Sequence, residues 1–358
     1  MLADTRLRTR VTELFGVEYP IVQTGMGWVS GAELTAATSE AGALGIIAGA
    51  TLTYPELVDA IAQVKAATSR PFGVNLRTDA PDVDQRVDHM IAAGVRVASF
   101  AQAPGEATVK KLKDAGLVVM PTIGAPRHAE KVAEWGVDAV IAQGGEGGGH
   151  TGVIPTSLLI PSVVDTVDIP VIAAGGFFDG RGLVAALSWG AEGIAMGTRF
   201  LLTSSSDVPD EVKAVYLGTP LTGTVVTRSI DGAPQRVIRT EVVDELEKAG
   251  LLAFPRAAIN ALKFRKISGT SLKDLLTEGW NMKKNSDMPL AQIAMAANSA
   301  MLTRASMVEG NLDVGILPTG QNVGVIDELP TSGEVVAAVV AEAIEVLDRL
   351  NGPREGND

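Results

Sequence analysis

Through the first 200 residues, short β-branched runs alternate with stretches whose apolar residues recur at helical spacing. Residues 21–23, 44–47, 72–75, 97–99, 118–121, 139–142, 171–174 and 193–196 read as strands. Between them, residues 54–68, 85–93, 108–115 and 127–135 carry the three-and-four spacing of amphipathic helices. Glycines follow several helical stretches, at Gly42, Gly94, Gly116, Gly136 and Gly190, where a left-handed residue ends a helix and leads into the next strand. Strict βα alternation implies parallel strands joined by helical crossovers. Eight strands favour a closed (β/α)8 TIM barrel, with an open doubly wound sheet as the alternative.

After Phe200 the rhythm stops. Residues 205–330 read as a smaller helical unit over the barrel mouth, with helices near 210–216, 240–249, 257–265, 271–278 and 290–300. Residues 332–350 form a last amphipathic helix, so the barrel domain comprises 1–204 plus 331–358.

Composition narrows the function. With 30 basic and 42 acidic side chains the net charge is −12, which disfavours a nucleic-acid partner. An apolar fraction of 46% supports a large core. The chain has no cysteine, so disulfides, thiolate nucleophiles and cysteine zinc sites are excluded, in keeping with a reducing cytosol. No apolar stretch follows the three arginines of the first ten residues and no window approaches a membrane span, so a cytoplasmic protein without a membrane partner is expected.

The chemistry of a barrel lies in the loops after its strands. Here those loops are glycine-rich: Thr24-Gly25-Met26-Gly27, the 143–152 stretch QGGEGGGHTG, the 173–182 stretch AAGGFFDGRG, and MGTRF at 196–200. One such loop would only mark a turn; four on one face point to a bound ligand. Gly175-Gly176, the helix expected from about Gly180, and Gly197-Thr198 would supply N–H donors where barrel enzymes hold phosphate. A G-x-G-x-x-G match at Gly147, Gly149 and Gly152 is not read as a dinucleotide site, because Pro155 falls where the helix should begin. Of three histidines, His89 and His128 lie in charged helical surroundings, whereas His150 ends the glycine-rich loop and could move a proton. The alternative is a histidine that only bonds the loop backbone. No metal site is expected, since no second histidine lies at helical spacing.

PIVQTGMG (Pro20 to Gly27), FGVNL (Phe72 to Leu76), AQGGEGGGHTG (Ala142 to Gly152), AAGG (Ala173 to Gly176), MGTRF and PTGQNVG (Pro318 to Gly324) together resemble the nitronate monooxygenase family. The resemblance spans almost the whole chain and implies an FMN-binding barrel with an inserted helical domain. It implies that Gly25 and Met26 line the flavin ring, that Asn75 and Gln143 bond its polar edge, and that Gly147 and Gly148 pass close to it. Gly175, Gly176, Gly197 and Thr198 would hold its phosphate, and His150 falls on the family's active-site histidine. The family more often has E-A-G-G-H where this chain has Glu146-Gly147-Gly148-Gly149-His150, and Pro-Met where it has Gly25-Met26; the extra glycine makes room for a larger substrate.

GMGWVSGA, QGGEGGGHTGVI and GGFFDGRG resemble an actinobacterial branch associated with steroid breakdown, which implies CoA thioesters as small-molecule substrates. Residues 256–284 hold seven basic side chains against Asp274 and Glu278, a local +5 that could attract CoA phosphates or form an ordinary solvated face. The expected reaction is proton removal by His150 next to a carbonyl, with hydride transfer between substrate carbon and FMN. Alternatives are oxidation of alkyl nitronates with dioxygen, flavin-dependent enoyl reduction, and non-catalytic flavin binding. A homodimer remains an open alternative to a monomer.

Overall fold

The computed structural model describes residues 4–249 and 290–352. Its strands are β1 (Ile21–Gln23), β2 (Leu44–Ile47), β3 (Phe72–Leu76), β4 (Val97–Phe100), β5 (Val118–Ile123), β6 (Val140–Gln143), β7 (Gly149–His150), β8 (Val171–Ala174), β9 (Gly193–Met196), β10 (Thr224–Thr227) and β11 (Gln235–Ile238). The helices are α1 (Arg10–Phe15), α2 (Ala32–Glu40), α3 (Tyr54–Ala67), α4 (Val83–Ala93), α5 (Glu106–Asp114), α6 (Pro126–Glu134) and α7 (Thr156–Val164). They continue as α8 (Gly180–Ser188), α9 (Thr198–Leu201), α10 (Asp210–Leu217), α11 (Glu241–Ala249), α12 (Leu290–Met307) and α13 (Ser332–Asn351).

The order β1-β2-β3-β4-β5-β6-β8-β9 closes on itself, β9 pairing with β1 through Ile21 opposite Ile194. Closure removes the open-sheet alternative. Side chains alternate along each strand. Val22, Leu44, Ile46, Val97, Val118, Met120, Ile141 and Ile172 pack together in the barrel interior. Phe72, Val74, Leu76, Ala98, Phe100 and Val119 face the surrounding helices instead. Val11 and Phe15 of α1 join the interior cluster beside the residues that begin the strands, so α1 plugs the N-terminal end. The five glycines expected to end helices all have positive φ, from 69° at Gly94 to 87° at Gly42 and Gly190.

Two features depart from the pattern of the sequence. The stretch 205–330 contains strands as well as helices: β10 and β11 form an antiparallel hairpin, extended by β7. Thr224-Val225-Val226-Thr227 followed by Asp231-Gly232 carries the β-branched run and turn residues of a hairpin, a signal that the helical reading passed over. The other departure concerns the helical ring. α9, after the last barrel strand, is only four residues long, and α13 packs against α8 and α2 in its stead. A reciprocal cap fixes its start, Thr331 Oγ1 accepting from the Glu334 N–H at 3.2 Å while the Glu334 carboxylate accepts from the Thr331 N–H at 2.7 Å.

Among the described residues no helix is long and apolar enough to cross a membrane. The basic stretch 256–284 lies outside the described residues.

Candidate active site

Strand alternation carries two of the expected polar residues inward. Asn75 stands two residues beyond Gly73 on β3, and Gln143 two beyond the interior Ile141 on β6. The Asn75 amide donates to Ser99 Oγ at 3.3 Å. Gly25 runs directly over Asn75: a Cβ there would lie 2.5 Å from Asn75 Cβ. The loop that bears Gly25 and Met26 is set by two residues the sequence reading did not single out. Ser30 Oγ accepts from the Met26 N–H and from Gln23 Nε2, each at 2.9 Å, and donates to Thr24 O. Gln23, fully buried, also bridges to Ile46 N and O at 3.2 Å. A lone amide in an otherwise apolar buried strand was the available signal. Trp28, in the same loop, is the one non-glycine with positive φ among the described residues (66°), and the Arg304 guanidinium lies over its ring at 5.8 Å.

The 143–152 loop folds back onto the barrel end. The Gln143 side chain donates to His150 O at 2.8 Å, and Gly147 passes so near that a Cβ would sit 2.6 Å from Gln143 Nε2. Gly148 abuts the PTGQNVG segment, with its Cβ position 2.4 Å from Thr319 C. Glu146 turns inward, accepting from Thr156 N at 2.8 Å and from Thr156 Oγ1. Pro155 does not prevent a helix here: it occupies the cap position and α7 starts at Thr156. The 143–152 loop is instead distinguished by its ties to the hairpin. Arg236 Nη2 donates to Gly145 O at 2.9 Å, and β7 places His150 opposite Gln235 of β11.

That pairing brings His150 to a carboxylate. His150 Nε2 lies 2.7 Å from Asp231 Oδ2, in the turn between β10 and β11. The imidazole is largely exposed, with 64% of its side-chain surface accessible, while the Asp231 side chain retains only 6%. Burial works to raise the Asp231 carboxyl, but its bonds with His150, the Ala233 N–H and the Gln235 amide outweigh that, holding it below the usual carboxylate value of 3.8. Asp231 was absent from the residues expected from sequence; the Asp-Gly turn marked the position but not its partner.

The phosphate region needs one correction. The first N–H groups of α8 are already taken, Gly180 by the Glu342 carboxylate of α13 at 2.7 Å and Gly182 by the capping Asp179 at 2.8 Å. Two carboxylates at that end leave no place for an anion. Gly175 and Gly176 lie upstream with φ of 98° and 88°, and neither N–H is bonded to another described residue; the same holds for Gly197. The Thr198 hydroxyl accepts from the Gly320 N–H at 2.8 Å, so its side chain anchors PTGQNVG. Met26 lies against Gly197, its Sδ 3.4 Å from the Cβ position. Inward amides at Asn75 and Gln143, unclaimed N–H groups at 175, 176 and 197, and glycines without room for a side chain form a set that fits a flat heterocycle with a polar edge and a phosphate tail. Beyond Gly124, whose carbonyl is 3.7 Å from the Gly152 Cβ position, an open pocket is lined by Gln102, Thr122, His128 and Lys131.

Comparison with known proteins places the chain in a family. The chain is 55% identical over 349 residues to the (3aS,4S,5R,7aS)-5-hydroxy-7a-methyl-1-oxo-octahydro-1H-indene-4-carboxyl-CoA dehydrogenase of Rhodococcus jostii, covering 97% of this chain and 99% of the relative. It is equally identical to the enzyme of that name in Mycobacterium tuberculosis, over 96% and 98%. Among solved structures, FabK from Thermotoga maritima superposes with a TM-score of 0.81 at 34% identity, over 96% of this chain and 99% of that one. Nitroalkane oxidase from Streptomyces ansochromogenes gives 0.77 at 28% identity, over 95% and 99%. The nitronate monooxygenase family profile matches residues 8–342, and the chain belongs to that family of flavin-dependent oxidoreductases.

Proposed function

We propose that this enzyme is an FMN-dependent dehydrogenase of CoA thioesters from steroid-ring breakdown, close in substrate to its two 55%-identical relatives. The observation that carries the reading is His150: one ring nitrogen is tied to a buried carboxylate, and the imidazole is largely exposed, its other nitrogen bonded to none of the described residues. In the thioester named for the relatives, the carboxyl-CoA group is borne by a ring carbon, whose C–H is acidified by the neighbouring carbonyl. His150 Nδ1 takes that proton while the Asp231 carboxylate balances the charge arriving on the ring. FMN, when bound, would supply the two-electron acceptor for the hydride of the adjacent carbon, so that loss of the proton and the hydride together would leave a C=C bond in the thioester.

The remaining residues hold and shield. Gly25 and Met26 would line the ring system of a bound FMN, Asn75 and Gln143 would bond its polar edge, and Gly147 and Gly148 would pass close to it. Gly175, Gly176, Gly197 and Thr198 would hold its phosphate. Lys131, in the open pocket beyond Gly124 with His128 beside it, offers a cation to the phosphates of CoA. A cytosolic setting belongs to the same proposal.

The test is the visible spectrum of the purified protein under anaerobic conditions. Bound flavin that bleaches with a saturated ring-CoA thioester, and not with an alkyl nitronate, is the expected result. Rapid bleaching by nitronate alone would assign the protein to nitronate oxidation. Absence of any flavin after soaking with FMN would remove the cofactor assignment.

A further inference from the structure

The hairpin of the inserted unit does more than cover the barrel. Asp231 Oδ2 receives both His150 Nε2 and the Gln235 amide, and Oδ1 receives the Ala233 N–H at 3.1 Å. Gln235 Nε2 also reaches Ser299 Oγ of α12 at 3.1 Å. An amide nitrogen has two protons, and these two acceptors use both. Its 3.2 Å approach to His150 Nε2 therefore leaves no amide proton for the imidazole. The Asp231 carboxylate only accepts, so the 2.7 Å bond requires the imidazole nitrogen to carry the proton and give it to Asp231. Turning the Gln235 amide over would place its oxygen against the Asp231 carboxylate, acceptor against acceptor, so the opposite arrangement is closed as well.

We infer that Asp231 is a positioning residue that locks His150 in the Nε2–H tautomer and so leaves Nδ1 bare as the base, with Gln235 and Ser299 fixing Asp231 in turn. The assignment rests on the reading of His150 as the base. Three elements supply the parts: β7 the imidazole, the β10–β11 hairpin the carboxylate and amide, and α12 the hydroxyl. The buried setting of Asp231 supports a specific task, because a carboxylate with 6% of its side-chain surface accessible is costly unless its partners are all in place. A bare loop staple would not need the amide on the far side of Nε2.

The chain has three histidines, which makes the tautomer directly measurable. Flavin-loaded protein labelled with ¹⁵N in its imidazoles is compared with His150→Asn to identify the His150 signals. With the ring neutral, wild type is expected to show a protonated Nε2 and a bare Nδ1, and Asp231→Ala a mixture of both tautomers. Flavin reduction by the ring-CoA thioester should slow about 10²-fold in Asp231→Ala, with thioester affinity unchanged. Asp231→Asn can still turn its oxygen toward the two donors, so it should keep the tautomer yet reduce flavin about tenfold more slowly for want of the charge. If Asp231→Ala fails to fold, the Asn variant decides: reduction at the wild-type rate overturns the proposal. So does an unchanged His150 tautomer in Asp231→Ala. Should the thioester reduce no form of the enzyme while Asp231→Ala still mixes the tautomers, the substrate assignment fails and the role of Asp231 stands.

Discussion

Replacing Gly148 by alanine tests whether the His150 loop is held by close backbone packing. A Cβ at 148 would lie 2.4 Å from Thr319 C and 2.5 Å from Gly320 N, about 1 Å inside ordinary contact. Neither side can yield cheaply. Thr319 N donates to Arg236 O and Gly320 N to Thr198 Oγ1, while across the gap Gly145 N donates to Ile154 O and Gln321 N to Glu146 O. Overpacking costs about 1–3 kcal/mol when side chains can adjust; with backbone on both faces the upper end applies, about 3 kcal/mol. That is more than a hundredfold in the unfolding equilibrium and a sizeable share of a stability of about 5–15 kcal/mol. Gly149 next to it is the control: its Cβ position has nothing within 4 Å, and φ of 63° alone should cost an alanine about 1–2 kcal/mol. Urea denaturation of the two flavin-loaded variants, with flavin occupancy read from absorbance, compares them. A Gly148→Ala protein as stable as Gly149→Ala, with flavin fully bound, would refute the packing argument.

His150→Gln should retain flavin yet lose about 10²–10⁴-fold in thioester-driven flavin reduction, measured by anaerobic stopped flow. Gly180→Ala places a Cβ 2.3 Å from Ala343 N at the α8–α13 contact, and the urea midpoint should show stability lowered by about 1–3 kcal/mol. The Asp231 carboxyl is depressed in the folded protein, so its stabilisation is present above the ordinary value of 3.8 and fades as pH drops through the lower folded value. Asp231→Asn should therefore be less stable than wild type at pH 7, and urea midpoints followed downward should converge below about pH 3.8.

The barrel was legible in the sequence because its information is local and periodic. Each strand is a β-branched run, each helix a repeating apolar stripe, and the glycines that join them sit where left-handed φ is needed. The inward placement of Asn75 and Gln143 follows from period two alone. What lay beyond reach is non-local. Asp231 is 81 positions from His150, and no spacing rule connects them; only the pairing of two loop residues with β11 does. Glu342 closing the N-terminus of α8 is hidden in the same way, since the donor and acceptor are 162 residues apart. A short β-branched stretch among helices, Thr224–Thr227, carried a real signal that the surrounding pattern outweighed.

The position of α13 has a consequence for how the chain is made. All eight barrel strands have been synthesised by Met196, yet the helix that fills the gap between α8 and α2 begins only at Ser332. A nascent chain of that length carries a complete sheet with one flank of its apolar outer face uncovered, where Val335, Val336 and Val339 will later be buried. The ring can be sealed only after residues 332–351 have themselves emerged, behind the whole of 205–330. Ribosome-bound chains ending before residue 332 should accordingly expose a hydrophobic cleft for chaperones, and the released protein should not.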